Sequence, residues 1–448
     1  MSARRHAAVL VIVAGALAAA AASAQRDVDA ALLADIEAIK AIDNHAHVMR
    51  PVPDDRGFDA LPLDALDPSP LPVGLRDDNP MFVRAWKALF GYRYDDASES
   101  HAQEAAAAKQ RAMAERGAAY PAWVLDKLGI ETMLANRIAM GPELTAPRFR
   151  WVPYADALIF PLDNGAAEAA NRDYAAFYPA EEKLLQQYVA ESRLSALPAT
   201  LDEYCRAVVS ATLERHKRGG AVAEKFEIAY LRWLDFGPAA GDAAAATYAK
   251  FVRGGRPPAA EYKTLQDYLF AYLAREAGRL GLAIHIHVAD GGGGNYDQRG
   301  SDPLLLTWLF NEPSLRKTNF VIVHGGGPPG AKHAGSLLSK SNVYADFSSW
   351  SFTMSPRLQA AALRDWLSTY PEHVLFGTDA TPVSDRINWE ETGWVATTTA
   401  RQALAIALSG MINDGEIDRA RARDLARRAL HDNARKLYGL GSDPGDQR

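Results

Sequence analysis

The stretch Ala41-Ile42-Asp43-Asn44-His45-Ala46-His47-Val48 reads as a β-strand that carries two imidazoles to one place. Residues two apart on a strand share a face, so His45 and His47 point the same way. Two imidazoles on one face at a strand end are half of a metal site. Taken alone, the pair fits a structural role as well as a catalytic one. What the rest of the chain sets beside it decides between them.

A second pair repeats the spacing. In Ala283-Ile284-His285-Ile286-His287-Val288 the isoleucines face one way and His285 and His287 the other. A buried histidine needs partners for both ring nitrogens. Four imidazoles aimed at one axis satisfy each other poorly without a cation. Two single residues extend the pattern. His324 follows Phe320-Val321-Ile322-Val323 and precedes three glycines and two prolines, a turn that keeps side-chain bulk away from the ring. Asp379 ends Leu375-Phe376-Gly377-Thr378-Asp379, where a carboxylate can bind metal and accept a proton from water.

Working outward, eight β-favouring runs are expected at 41–48, 131–138, 157–161, 222–229, 282–288, 320–323, 343–347 and 374–377. Several are apolar throughout, as parallel strands covered on both faces should be. Helical periodicity separates them, notably at 262–281, 303–310 and 355–370. The expected fold is therefore α/β, a (β/α)8 TIM barrel with helical insertions after strands one and three. The insertions span about 49–127 and 165–220. They follow strands, so they belong to the face where barrel active sites form. The last helices, 397–411 and 416–438, are expected to pack on the outside of the barrel.

The chain has 448 residues and a formal net charge of -6. No basic tract with interleaved aromatics suggests nucleic acid. Cys205 is the single cysteine, which excludes an internal disulfide and any thiolate ligand set. Residues 1–24 have the layout of a secretory signal peptide: Arg4-Arg5, an apolar stretch, then Ala22-Ser23-Ala24. The expected product is one exported, periplasmic barrel domain, 25–448, without a membrane span, acting on a small molecule and able to form homo-oligomers.

The order His-x-His on strand one, His on strand five, His on strand six and Asp on strand eight resembles the amidohydrolase superfamily. The His-Gly-Gly-Gly and Gly-Thr-Asp segments look like the branch that holds aminocarboxymuconate-semialdehyde decarboxylase. That resemblance implies His45, His47, His287 and Asp379 as ligands of one divalent ion, usually zinc. It makes His324 the nearby base or electrophile that positions the metal-bound water, with Asp379 moving the proton. It gives His285 no fixed role beyond touching substrate or orienting His287. Lys225, on the fourth run, is either a carboxylated bridge to a second ion or a substrate contact, with Glu227 as its ion partner. Arg137 is either a clamp for a substrate carboxylate or half of an ion pair. Asp346 is placed to hydrogen-bond a ligand imidazole.

The reaction expected is hydrolysis of an amide, lactone or other ester by metal-activated water. The alternatives are decarboxylation of an unsaturated or aromatic carboxylate, sugar-acid isomerisation, and a non-catalytic binding protein on an inherited barrel.

Overall fold

Phe320-Val321-Ile322-Val323 is buried at every position, as an inner strand covered on both faces must be. It is the sixth of eight parallel strands in the computed structural model, which describes residues 28–52, 55, 59, 71–289 and 291–441. The strands are β1 Ala41–Ala46, β2 Ile130–Asn136, β3 Phe149–Val152, β4 Ala223–Phe226, β5 Ala283–His287, β6 Phe320–Val323, β7 Val343–Asp346 and β8 Val374–Leu375. They pair in chain order as β1–β3 and β4–β8. Bridges from Trp151 to Ala221 and from Tyr154 to Lys225 join β3 to β4, and one from Ala46 to Ala380 closes the ring. The 1–24 segment lies outside the described residues. Among those described, no helix is long and apolar enough to cross a membrane.

Every strand helps to fill the lower barrel: Ile42, Leu134, Val152, Ala223, Ala283, Val321, Val323 and Leu375 belong to one buried cluster, with Tyr344 of β7 against it. Ala434, Leu437 and Tyr438 belong to the same cluster. The helix Asn433–Tyr438 therefore stoppers the barrel interior rather than lying on its outside, a correction to the expected placement of the last helix.

The third strand also differs from expectation. The apolar run at 157–161 is a 3-10 turn, Asp156–Ile159, and the strand is Phe149–Val152. The run is buried like a strand, but carbonyls in it and just before it go elsewhere. Tyr188 donates to the Tyr154 carbonyl and Tyr204 to that of Leu158. Both tyrosines come from the insertion, so the turn is paired by side chains instead of a ladder.

Both insertions are helical. The first holds Pro80–Phe90, Glu99–Arg116 and Tyr120–Leu128; the second includes Phe177–Glu191 and Ala211–Arg218. Lys109 pins the first in place, its ammonium 3.0 Å from Glu390 and 2.9 Å from Glu391 on the helix Trp389–Asn413.

Candidate metal centre

The upper ends of β1, β5, β6 and β8 deliver the expected residues to one cup. β1 shifts register between Asp43 and Ala46. Asn44 points into the barrel below, and His45 and His47 reach Asp379 above, as an irregular strand end permits. His45 Nε2 lies 3.3 Å and His47 Nε2 3.6 Å from Asp379 Oδ1. The His324 ring centroid is 5.0 Å from that of His45 and 4.7 Å from that of His287. Donor atoms of His45, His324 and Asp379 lie within 4.8 Å of one another. The structure thus puts His324, rather than His287, in the tight group with His45 and Asp379. A second group, His47, Asp59 and Glu227, meets the same limit.

The backbone is strained where the cup is built. His324, Gly325, Gly326 and Gly327 run through φ of +65°, +49°, +81° and +58°. Three glycines make that left-handed turn feasible. They do not open the ring to approach: a Cβ at Gly325 would collide with Trp366 and the Asp346 main chain. Asp379 has φ +55°, with its N–H bonded to the His45 carbonyl at 2.8 Å. Non-glycine residues in this region cost on the order of 1–3 kcal/mol each and gather at functional sites.

Each imidazole is held from behind. Asp59 Oδ2 lies 2.6 Å from His47 Nδ1, which fixes the proton there and leaves Nε2 toward Asp379. Asn136 Nδ2 lies 2.5 Å from His45 Nδ1, while Asn136 Oδ1 has no hydrogen-bond partner. Turning the amide end for end sets Oδ1 against Nδ1–H and frees the His45 Nε2 lone pair. His324 Nδ1 lies 2.9 Å from Ser348 Oγ, and Ser348 Oγ 2.5 Å from Asp346 Oδ1. Asp346 thus acts on His324 through Ser348 and through the His324 main-chain N–H, 2.9 Å away. Asp43 anchors the other side, accepting from the Thr378 main chain at 2.9 Å and its hydroxyl at 2.5 Å.

The electrostatics favour neutral rings. Burial and then Lys225's charge push the His45 and His287 pKa values well down. Burial, His287 and Lys225 do the same to His324. His47 is the exception: burial opposes its charge, but the Asp59 carboxylate wins and raises it. Neutral imidazoles have a lone pair to offer a cation. Buried His45 Nε2 and His287 Nε2 have no hydrogen-bond partner within the protein. Such orphaned donors and acceptors are costly, and beside a carboxylate they suit a divalent ion. The residues present fit one.

Other expected residues sit differently. Arg137 is 2.8 Å from both Asp55 oxygens through two nitrogens and 2.6 Å from the Val48 carbonyl, the ion-pair arrangement of the two considered for it. His285 is in the barrel interior, its Nε2 2.7 Å from the Tyr438 hydroxyl, and burial holds its pKa down at about 3. Lys225 Nζ lies 3.3 Å from Glu227 Oε1. Asp59, Ser348 and Tyr230 are additions; the Tyr230 ring is 4.4 Å from that of His287. Nothing in local sequence marks them, because each acts from a loop or insertion.

A family model described as amidohydrolase matches residues 42–440. No curated protein matches the chain. Three solved structures align over most of it. A candidate metal-dependent hydrolase from Lactobacillus casei is 17% identical, with TM-score 0.56, covering 90% of this chain and 96% of that one. A uronate isomerase from Thermotoga maritima is 14% identical, with TM-score 0.55, covering 91% and 96%. A glucuronate isomerase from Caulobacter crescentus is 14% identical, with TM-score 0.58, covering 93% and 95%. At such identities the likeness is one of fold.

Proposed function

The chain belongs to the amidohydrolase family, and from that premise we propose that it is a metal-dependent hydrolase of an amide, lactone or other ester. The observation that carries this is the unpartnered, buried His45 Nε2 standing 3.3 Å from Asp379 Oδ1. His45, His47, Asp379 and His324 would hold the divalent ion, with zinc suited to this set of nitrogens and one carboxylate. Such an ion supplies Lewis acidity, lowering the pKa of water and polarising a carbonyl.

The protein's own residues do the rest. Asp379 keeps 18% of its side chain exposed, against 0% for His45 and 5% for His47. It is the group that meets incoming water and substrate, takes the water proton and returns it to the leaving atom. Asp59 and Asn136 hold the two β1 imidazoles in register. Lys225, paired with Glu227, supports one ion over two, because a carboxylated lysine beside that carboxylate would set two anions together. The sequence likeness to the decarboxylase branch supports decarboxylation as a rival. The pairing of Arg137 with Asp55 leaves Lys225 as the cation a carboxylate substrate would meet in that reading.

The test is a panel of amides, lactones, esters, aromatic carboxylates and uronates, run with zinc-loaded and chelated protein. Chelator-sensitive hydrolysis supports the proposal. Turnover confined to uronates or carboxylates, in folded and metal-loaded protein, overturns it.

A further inference from the structure

Hydrogen bonds behind the cup run in one direction, and we propose that Ser348 is a positioning residue that locks His324 with its proton on Nδ1 and its Nε2 lone pair facing the site. The inference rests on the metal-site reading above and sharpens it.

Its root is the Asp346 carboxylate, which is fully buried. Asn44 Nδ2 donates to Oδ2 at 2.6 Å. The main-chain N–H groups of His324 and Ser348 donate to Oδ1 at 2.9 and 3.1 Å. Peptide and amide N–H groups only donate, so both carboxylate oxygens are held as acceptors. The carboxylate fixes Asn44 in that sense, since it can only accept from the amide, and Asn44 Oδ1 is thereby turned to receive the Tyr438 hydroxyl.

Ser348 has one hydroxyl proton. With Asp346 Oδ1 an acceptor 2.5 Å away, that proton goes to the carboxylate. Ser348 Oγ then offers His324 only lone pairs. Nδ1, 2.9 Å from it, must supply the proton of that bond. A neutral imidazole carries one N–H, so Nε2 is left bare. A bare Nε2 can bind a cation or accept a proton. It cannot polarise a carbonyl by donating a hydrogen bond. Of the two roles the sequence leaves His324, base and electrophile, the network keeps the base and adds that of ligand.

The same logic runs through the far arm. Tyr438 spends its proton on Asn44, so His285 Nε2–H donates to the Tyr438 oxygen 2.7 Å away. Both arms end on Asp346.

The experiment uses the purified full chain, histidine-labelled with 15N, in zinc-free form. Long-range 1H–15N correlation reports which ring nitrogen carries the proton, and H324Q assigns the His324 signals. Wild type should show protonated Nδ1 and bare Nε2 at His324. Ser348→Ala should shift the proton toward Nε2 and weaken zinc binding by about 10–100-fold, the usual cost of losing a group that orients a ligand. Ser348→Thr, which keeps the hydroxyl, should restore both. An Nε2–H signal in wild type, or an unchanged tautomer in folded Ser348→Ala, overturns the proposal. Should Ser348→Ala fail to fold, the wild-type and Ser348→Thr spectra decide it. If wild type binds no zinc, nickel or manganese, the metal reading fails, and the zinc-free spectra still decide the tautomer.

Discussion

His45 Nε2 and Asp379 Oδ1 stand 3.3 Å apart although their residues close opposite ends of the barrel's strand order. The contact forms only when β8 returns to β1. Removing either side should empty the site. Asp379→Asn and His45→Ala are expected to lose bound zinc and at least 100-fold in kcat/KM, the low end of what a positioned acid–base group contributes. Metal analysis by mass spectrometry after dialysis checks this. Full metal content in both variants would refute the ligand assignment.

Arg137 and Asp55 form a buried, two-pronged pair beneath the cup. Arg137→Ala leaves the carboxylate with the partly exposed Arg50 as its remaining ion partner and should cost roughly 3 kcal/mol of stability, read by urea unfolding. The pH dependence has a definite sign. Burial pushes the Asp55 pKa up, but the bonds from Arg137 and Arg50 hold it below the ordinary value. Its contribution is full above the ordinary carboxylate range and is lost as pH falls through its lowered pKa. Wild type should therefore lose more stability than Arg137→Ala on acidification. A raised KM with unchanged stability would mean that Arg137 is a substrate clamp after all.

Lys109 joins the first insertion to Glu390 and Glu391 while keeping only 13% side-chain exposure. Lys109→Met should strand two facing carboxylates and destabilise the protein by about 3 kcal/mol. The loss should be local first. Hydrogen exchange at 99–128 should quicken before exchange in the strands does, and equal acceleration everywhere would argue against docking by this lysine.

Cys205 is buried, and burial raises its thiol pKa to about 12 from 9.0. Iodoacetamide at pH 8 should label native protein at least 100-fold more slowly than protein unfolded in guanidinium. The linkage runs against alkali: the thiol's contribution is whole below pH 9 and is lost as pH rises toward 12. Rapid labelling of the native protein would contradict the burial.

Most of the strand order and the positions of the candidate ligands are legible in the sequence, the strands from periodicity and the ligand roles from the family resemblance. Phe320–Val323 has no other way to bury four apolar side chains, and His45, His287, His324 and Asp379 mark the ends of such runs. Where periodicity is silent, reading fails. The 157–161 run is apolar, yet Tyr204 takes the Leu158 carbonyl that a strand would need. Asp59 and Ser348 act on histidines from loops, where no spacing rule applies. Arg137 looks like a clamp until Asp55 is seen beside it, and Asp55 lies in a Pro- and Asp-rich segment without a period.

The helix Asn433–Tyr438 also sets a limit on timing. Tyr438 meets Asn44 across 394 positions of sequence, so this contact of the first strand waits until residue 438 has been made. Until then the floor of the barrel is open and the Asp346 network lacks one arm. Closure of the barrel floor is therefore expected to be late and slow, as for folds dominated by distant contacts. A nascent chain halted before Tyr438 emerges should offer chaperones an unsealed apolar interior.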